Sequence, residues 1–108
     1  MSLHGDYVRE REGLDIYEDG NGFATFSING EECYIVDIYV RPEARRGGHG
    51  SRMADRIAQH AKKHGCAYLK GSIDPSTNGA TESMKGLLAY GFKLWKIKEP
   101  LIFLVKRI

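Results

Sequence analysis

The residues with the clearest chemical potential are Arg45-Arg46-Gly47-Gly48-His49-Gly50-Ser51. Guanidinium groups beside a glycine-rich backbone suit an anion, because no Cβ keeps the ligand away and amide N–H groups can point at it. If a helix opens here, the N–H groups of its first turn add partial positive charge, and phosphate is the ligand such a site holds. The spacing departs from G-x-x-x-x-G-K-[ST], which excludes the nucleoside-triphosphate loop, and from G-x-G-x-x-G, which excludes the dinucleotide fingerprint. What it fills is [Q/R]-x-x-G-x-[G/A], with Arg45, Gly48 and Gly50. A basic turn of no function could share that composition, so the flanking elements decide.

Before the loop, residues 32–40 are rich in β-branched and aromatic side chains and predict a central strand, which Pro42 stops. After it, Met53, Ala54, Ile57, Ala58 and Ala61 recur on one helical face from Gly48 to about His64, with Arg52, Arg56, Lys62 and Lys63 on the solvated side. Residues 66–73 then read as a strand, so the unit is βαβ, which implies parallel strands and a right-handed crossover. Upstream, residues 7–18 read as one or two strands broken near Gly13. The turns at residues 19–22 and 29–30 join them to Phe23–Ile28 and onward to the central strand. Downstream, a second helix over residues 80–90 carries Ala80, Met84, Leu87 and Leu88 on one face. A hairpin, residues 92–97 and 101–106, closes the chain. An antiparallel meander, a βαβ unit, a helix and a hairpin make a mixed α/β sheet, with Tyr68, Phe92 and Trp95 expected in its core.

With 108 residues, 42% of them hydrophobic and 28% charged, the chain reads as one globular domain spanning 1–108. Residues 1–6 show no signal-peptide core and are expected to be disordered or tag-derived. Sixteen basic residues against fourteen acidic ones leave a net charge of +2, too even to argue for nucleic acid. No apolar run reaches the ~20 residues that span a bilayer. Cys33 and Cys66 form no C-x-x-C unit and read as buried thiols of a reducing, cytoplasmic setting. His60 and His64 stand four residues apart without an evident third ligand, so no metal site is expected.

The segment Ile38-Tyr39-Val40-Arg41-Pro42-Glu43 leading into the Arg45/Gly48/Gly50 loop resembles the acetyl-coenzyme A loop of the GNAT superfamily of N-acetyltransferases. The helix ending in Gly91-Phe92 is similar to the one that closes that family's core, and the resemblance runs from about Leu14 to Ile108. Between Gly13 and Phe23 there is no room for the two helices that usually follow the family's first strand, so the chain resembles a trimmed member with an open or partner-completed acceptor side. A homodimer follows as an expectation. The resemblance implies a GNAT-like fold with acetyl-CoA as co-substrate. The backbone of Ile38 and Val40 would pair with the pantetheine amides. The N–H groups of Arg46, Gly47, Gly48, His49, Gly50 and Ser51 would hold the pyrophosphate, with Arg45, Arg46 and Arg52 placed for phosphates. Ser83 occupies a position that often contacts the cofactor in relatives, and Asn78 lies two residues before their usual Asn.

The implied reaction moves an acetyl group from a thioester to a primary amine, which requires a neutral amine, an oxyanion donor and a proton source for the leaving thiolate. Relatives often place a Tyr four residues before Gly-Phe; here Leu87 stands there, and Tyr90 is the substitute one turn on. Their carboxylate base position is Tyr34 here. Glu32, on the same face by simple alternation, and Asp37, of opposite parity, are the acidic candidates. His49 fills a loop position that is usually apolar in relatives. Two other readings stay open: a non-catalytic binding module on the same fold, and a nucleic-acid-binding domain using Arg45, Arg46, Arg52 and Arg56. The second predicts steeply salt-dependent binding.

Overall fold

A computed structural model describes residues 2–108. Six strands form one sheet: β1 (Asp15–Asp19), β2 (Gly22–Asn29), β3 (Glu32–Val40), β4 (Tyr68–Ile73), β5 (Lys93–Lys98) and β6 (Leu101–Arg107). Their order is β1-β2-β3-β4-β6-β5, antiparallel except at the parallel β3–β4 pair. Helix α1 is Leu3–Tyr7, α2 is His49–Lys63 and bridges the parallel pair, and α3 is Ala80–Tyr90. The expected mixed α/β sheet, meander and βαβ unit are all present.

One face of the sheet is buried. Ala24, Phe26, Cys33, Ile35, Leu69, Ile73 and Leu104 meet Ile57 and Ala61 from α2, together with Ala80 and Phe92. The predicted stripe explains α2: Met53, Ala54, Ile57 and Ala61 are its buried residues, and burying a side chain such as Ile57 contributes roughly 2 kcal/mol. On α3 only Ala80 is buried; Met84 and Leu87 pack partly against the core, and Leu88 is exposed.

Four expectations give way. Residues 7–12 are helical rather than extended: α1 runs on into a wider helical turn over Val8–Glu12, ended by Gly13. Arg9 to Glu12 are helix formers without the alternation a strand needs, so local propensity prevails. The first residues also belong to this element, since the Ser2 hydroxyl accepts the Gly5 amide at 2.9 Å and Gly5 is buried. Residues 3–6 are thus placed in α1 with Ser2 as its cap, and residue 1 lies outside the described residues. Cys66 precedes β4 rather than lying in it, though both thiols are buried; burial pushes Cys33 up to about 12. Finally, Tyr68 and Trp95 are exposed on the face away from α2 and α3, where Lys70 and Lys96 lie against the Trp95 ring. Only Phe92 of the three aromatics enters the core.

Candidate functional site

The parallel ladder between β3 and β4 runs from Glu32–Tyr68 to Ile35–Gly71 and stops. Beyond it β3 continues to Val40 and β4 to Ile73 without pairing, so the strands part like a fork. A hydroxyl contact between Tyr34 and Ser72 sits at the crotch. Backbone groups on the open side of β3 past Ile35 have lost their ladder partners and need new ones. An extended ligand with amides of its own supplies them as an added strand would.

The fork coincides with a bulge. Thr25 pairs with Asp37 and Phe26 with Ile35, which leaves Val36 as an extra residue on β3. Such an insertion reverses the alternation beyond it. Ile38 therefore shares the Ala24–Phe26 face, and Asp37 shares the face of Tyr34, contrary to the parity expected from the sequence. No glycine or proline marks Val36, so the sequence carried no signal for this.

Beyond Val40 comes the glycine loop. The chain turns through Pro42–Ala44, Arg46 takes a left-handed φ of 68° and Gly48 one of 78°, and α2 begins at His49 with no side-chain cap. Helix α3 likewise starts after Gly79 without a side-chain cap. Both N-termini adjoin one cleft of about 650 Å³. Its lining takes in Asp37, Ile38 and Val40 from β3, the loop residues Arg45, Arg46, Gly48, His49, Gly50 and Ser51, and Asn78, Ser83, Leu87 and Tyr90 from the other side. The exposed amides and two helix dipoles make it suited to an anionic ligand.

The arginines divide their work. Arg45 Nε donates to the Val40 carbonyl at 2.8 Å, and Arg52 Nη1 to the Gly47 carbonyl at 2.9 Å, so both brace the loop's own backbone. Arg46 makes no side-chain bond among the described residues.

Of the three catalytic candidates, two reach the cleft. Asp37 lines it, exposed, with no side-chain partner among the described residues. Tyr90 lines it too, but its hydroxyl donates to Asp55 Oδ1 at 2.6 Å. Burial, then that bond and the Asp55 charge, hold the phenol above its ordinary value, so it is a reluctant acid. Glu32 is not brought to the cleft. It stands at the zipped end of the fork, five residues or ~16 Å of strand from Asp37, paired with Lys70. Gly47 belongs to the loop but does not line the cleft, serving instead as the anchor for Arg52.

His49 is nearly buried and tied across the molecule: its Nε2 lies 3.0 Å from Asp19 Oδ2 at the end of β1. Asp19 also accepts the Asn21 and Gly22 amides and the Tyr17 hydroxyl. Burial pushes its carboxyl up, but the Asn21, His49 and Tyr17 bonds outweigh this and hold it below its ordinary value. Sequence reasoning missed Asp19, Asp55 and Ser72, because contacts 30, 35 and 38 residues apart leave no local signal.

The chain is similar to proteins of one known family. Residues 8–87 match the model of the acetyltransferase (GNAT) family. The thialysine N-epsilon-acetyltransferase of Bos taurus is 34% identical over 71 residues, covering 63% of this chain and 42% of that protein. The same enzyme of Sus scrofa is 39% identical over 41 residues, 38% of this chain and 24% of that one. The match thus spans less than half the length of either relative. Among solved structures, the PaiA N-acetyltransferase of Thermoplasma acidophilum in complex with coenzyme A superposes with a TM-score of 0.77 at 18% identity, covering 98% of this chain and 69% of that one. A GNAT-family acetyltransferase of Elizabethkingia anophelis with acetyl-CoA bound gives 0.73 at 17%, covering 98% and 82%. At such identities the likeness establishes a shared fold.

Proposed function

The chain belongs to the GNAT acetyltransferase family, and from that premise we propose that it transfers an acetyl group from acetyl-CoA to a primary amine. The observation that carries this reading is the cleft in which the β3 fork, the uncapped start of α2 and the Asp37 carboxylate, without a partner among the described residues, meet. The open edge of Ile38 and Val40 takes the pantetheine as an added strand, and the amides of residues 46–51 take the pyrophosphate. Asn78 and Ser83, across the cleft, flank the same ligand. Two relatives act on thialysine by name, which supports a small aliphatic amine as acceptor.

Asp37 draws the ammonium form of the acceptor to the fork and takes its proton, directly or through water. The amine nitrogen then bonds to the acetyl carbon, a backbone N–H near Val40 steadies the oxyanion, the carbon–sulfur bond breaks to release the thiolate, and the surplus proton on the nitrogen passes to that thiolate or to water. A thiolate whose acid has an ordinary value of about 8.5 leaves without strong assistance, so Leu87 in place of a tyrosine slows the step without stopping it. The buried free thiols support a cytoplasmic setting. Among the described residues no helix is long and apolar enough to cross a membrane.

The test is thermal melting with acetyl-CoA, followed by thiol release with a panel of amines including thialysine, polyamines and peptide N-termini. Ligand at a hundredfold its Kd adds roughly 2.7 kcal/mol of stability. A melting curve unmoved by millimolar acetyl-CoA overturns the reading. A shift without transfer to any amine favours a second reading, a binding module, which the commitment of Tyr90 to Asp55 also supports.

A further inference from the structure

The crotch of the β3–β4 fork holds two hydroxyls to which the proposed reaction gives no role. Ile35–Gly71 is the last pair of the parallel ladder, so Val36 and Ser72 are the first residues past it. Along β4, Leu69, Gly71 and Ile73 are buried on the core side, and by alternation Lys70 and Ser72 project from the opposite face. Tyr34 projects from that same face of β3, and the bulge turns Asp37 to it as well. Ser72 lines the cleft, Tyr34 does not, and their hydroxyls are in contact. On its far edge Ser72 is paired with Phe103 of β6, which fixes its backbone while the fork side stays open. With the diphosphate at residues 46–51 and the pantetheine amides on Val40 and Ile38, the coenzyme's arm runs down β3 toward this crotch. Val40 to Val36 covers ~13 Å of strand, on the order of an extended pantetheine arm. The thioester is thus delivered beside Ser72, and the amine drawn by Asp37 arrives from the face that both share.

We propose that Ser72 is a catalytic residue, a hydroxyl shuttle that carries the surplus proton of the tetrahedral intermediate from nitrogen to the departing sulfur, and that Tyr34 is the positioning residue that holds it. The inference rests on the acetyl-CoA reading above. While the nitrogen of the intermediate keeps its surplus proton, it leaves readily as the neutral amine and the reactants return. Moving that proton to sulfur makes nitrogen the poorer leaving group and sulfur the better one. Ser72 Oγ takes the proton from nitrogen on a lone pair while its own proton goes to sulfur. The carbon–sulfur bond breaks with its electron pair on sulfur. The products are the amide, the free thiol and an unchanged serine. A hydroxyl has one proton and two lone pairs, and the step uses all three. The proton faces sulfur, one lone pair faces the N–H, and the other is left for the Tyr34 hydroxyl, which therefore donates to Ser72. The shuttle supplies at sulfur what Leu87 cannot, and it leaves Tyr90 free to stay with Asp55.

The test compares wild type with Ser72→Ala, Ser72→Thr, Tyr34→Phe and the Ser72→Ala/Tyr34→Phe double variant. It measures steady-state acetyl transfer from acetyl-CoA to the best acceptor of the amine panel, coenzyme A affinity by calorimetry, and melting points. Expected for Ser72→Ala is a kcat roughly thirtyfold lower, less than the full range of general acid–base catalysis because a thiolate already leaves well. The KM for the amine, the coenzyme A affinity and the melting point stay as in wild type, so the loss lies in the chemical step. Ser72→Thr restores most of the rate, because it keeps the hydroxyl and a strand accepts its branched side chain. Tyr34→Phe costs about fivefold in kcat, and the double variant is no slower than Ser72→Ala, since Tyr34 acts through Ser72. An unchanged kcat in Ser72→Ala overturns the inference while leaving the acetyl-CoA reading intact. So does a Ser72→Thr as slow as Ser72→Ala, or a loss that appears as weaker coenzyme A binding, because either makes Ser72 a packing residue. Losses that multiply in the double variant overturn the role given to Tyr34. A wild type that transfers acetyl to no amine overturns both the inference and the reading beneath it, since no sulfur then departs.

Discussion

From Glu32 to Ile35, β3 is bonded on both edges, to β2 and to β4, and its outward carboxylate is neutralised by Lys70. From Val36 to Val40 the same strand is bonded only to β2, and its outward carboxylate, Asp37, is unpaired among the described residues. Apolar content does not separate the halves, since Cys33 and Ile35 are matched by Val36, Ile38 and Val40. The difference is one extra residue and a diverging neighbour. A satisfied ladder gives rigidity, and an unsatisfied one gives a place to bind.

The comparison breaks most sharply at the loop on which the open half ends. Gly50→Val should fold, because a Cβ there meets only Val40 Cγ2 at 4.0 Å, an ordinary contact. Coenzyme A affinity should nevertheless fall by about a hundredfold or more as the side chain occupies ligand space. Gly48→Val tests the same space less cleanly, since it also strains a left-handed backbone. Retained affinity in a folded Gly50→Val would reduce the loop to a turn.

Exchanging carboxylates between the two halves comes next. Asp37→Asn should lower kcat about tenfold near neutral pH with coenzyme A affinity unchanged, and the loss should shrink at alkaline pH, where solvent deprotonates the amine. Glu32→Gln should leave turnover as it is and cost about 1 kcal/mol or less in chemical denaturation, the scale of a partly exposed ion pair. If the two phenotypes came out reversed, the functional half of β3 would be the zipped one.

A smaller effect is expected from Tyr90→Phe, no more than about fivefold in kcat, because the hydroxyl is committed to Asp55. A hundredfold loss with binding unchanged would instead make Tyr90 the general acid. The smallest effect is on acid stability. Asp19 is held below its ordinary value of 3.8, so its contribution is present above that pH and is lost as pH falls through the native value. Asp19→Asn should therefore show a slightly shallower loss of stability below about pH 4, read from urea midpoints.

The sequence by itself determined the elements whose signals are local. The period of Met53, Ala54, Ile57 and Ala61 made α2, Gly91 ended α3, and Arg45, Gly48 and Gly50 marked where an anion can approach a backbone. Its local signals compete in Arg9–Glu12, whose helix-forming residues carry no apolar period. Only the tertiary structure decided the rest. The Val36 bulge depends on how β2 registers against β3, and that register turned Asp37 to the face of Tyr34. The fork depends on β4 diverging after Gly71. Lys70 claiming Glu32, Asp55 claiming Tyr90 and Asp19 claiming His49 each depend on two elements being set side by side. Residue type and spacing along the chain report what a side chain can do; its available partner is settled by packing, because a hydrogen bond reaches only about 3 Å and the chain between the partners can be of any length.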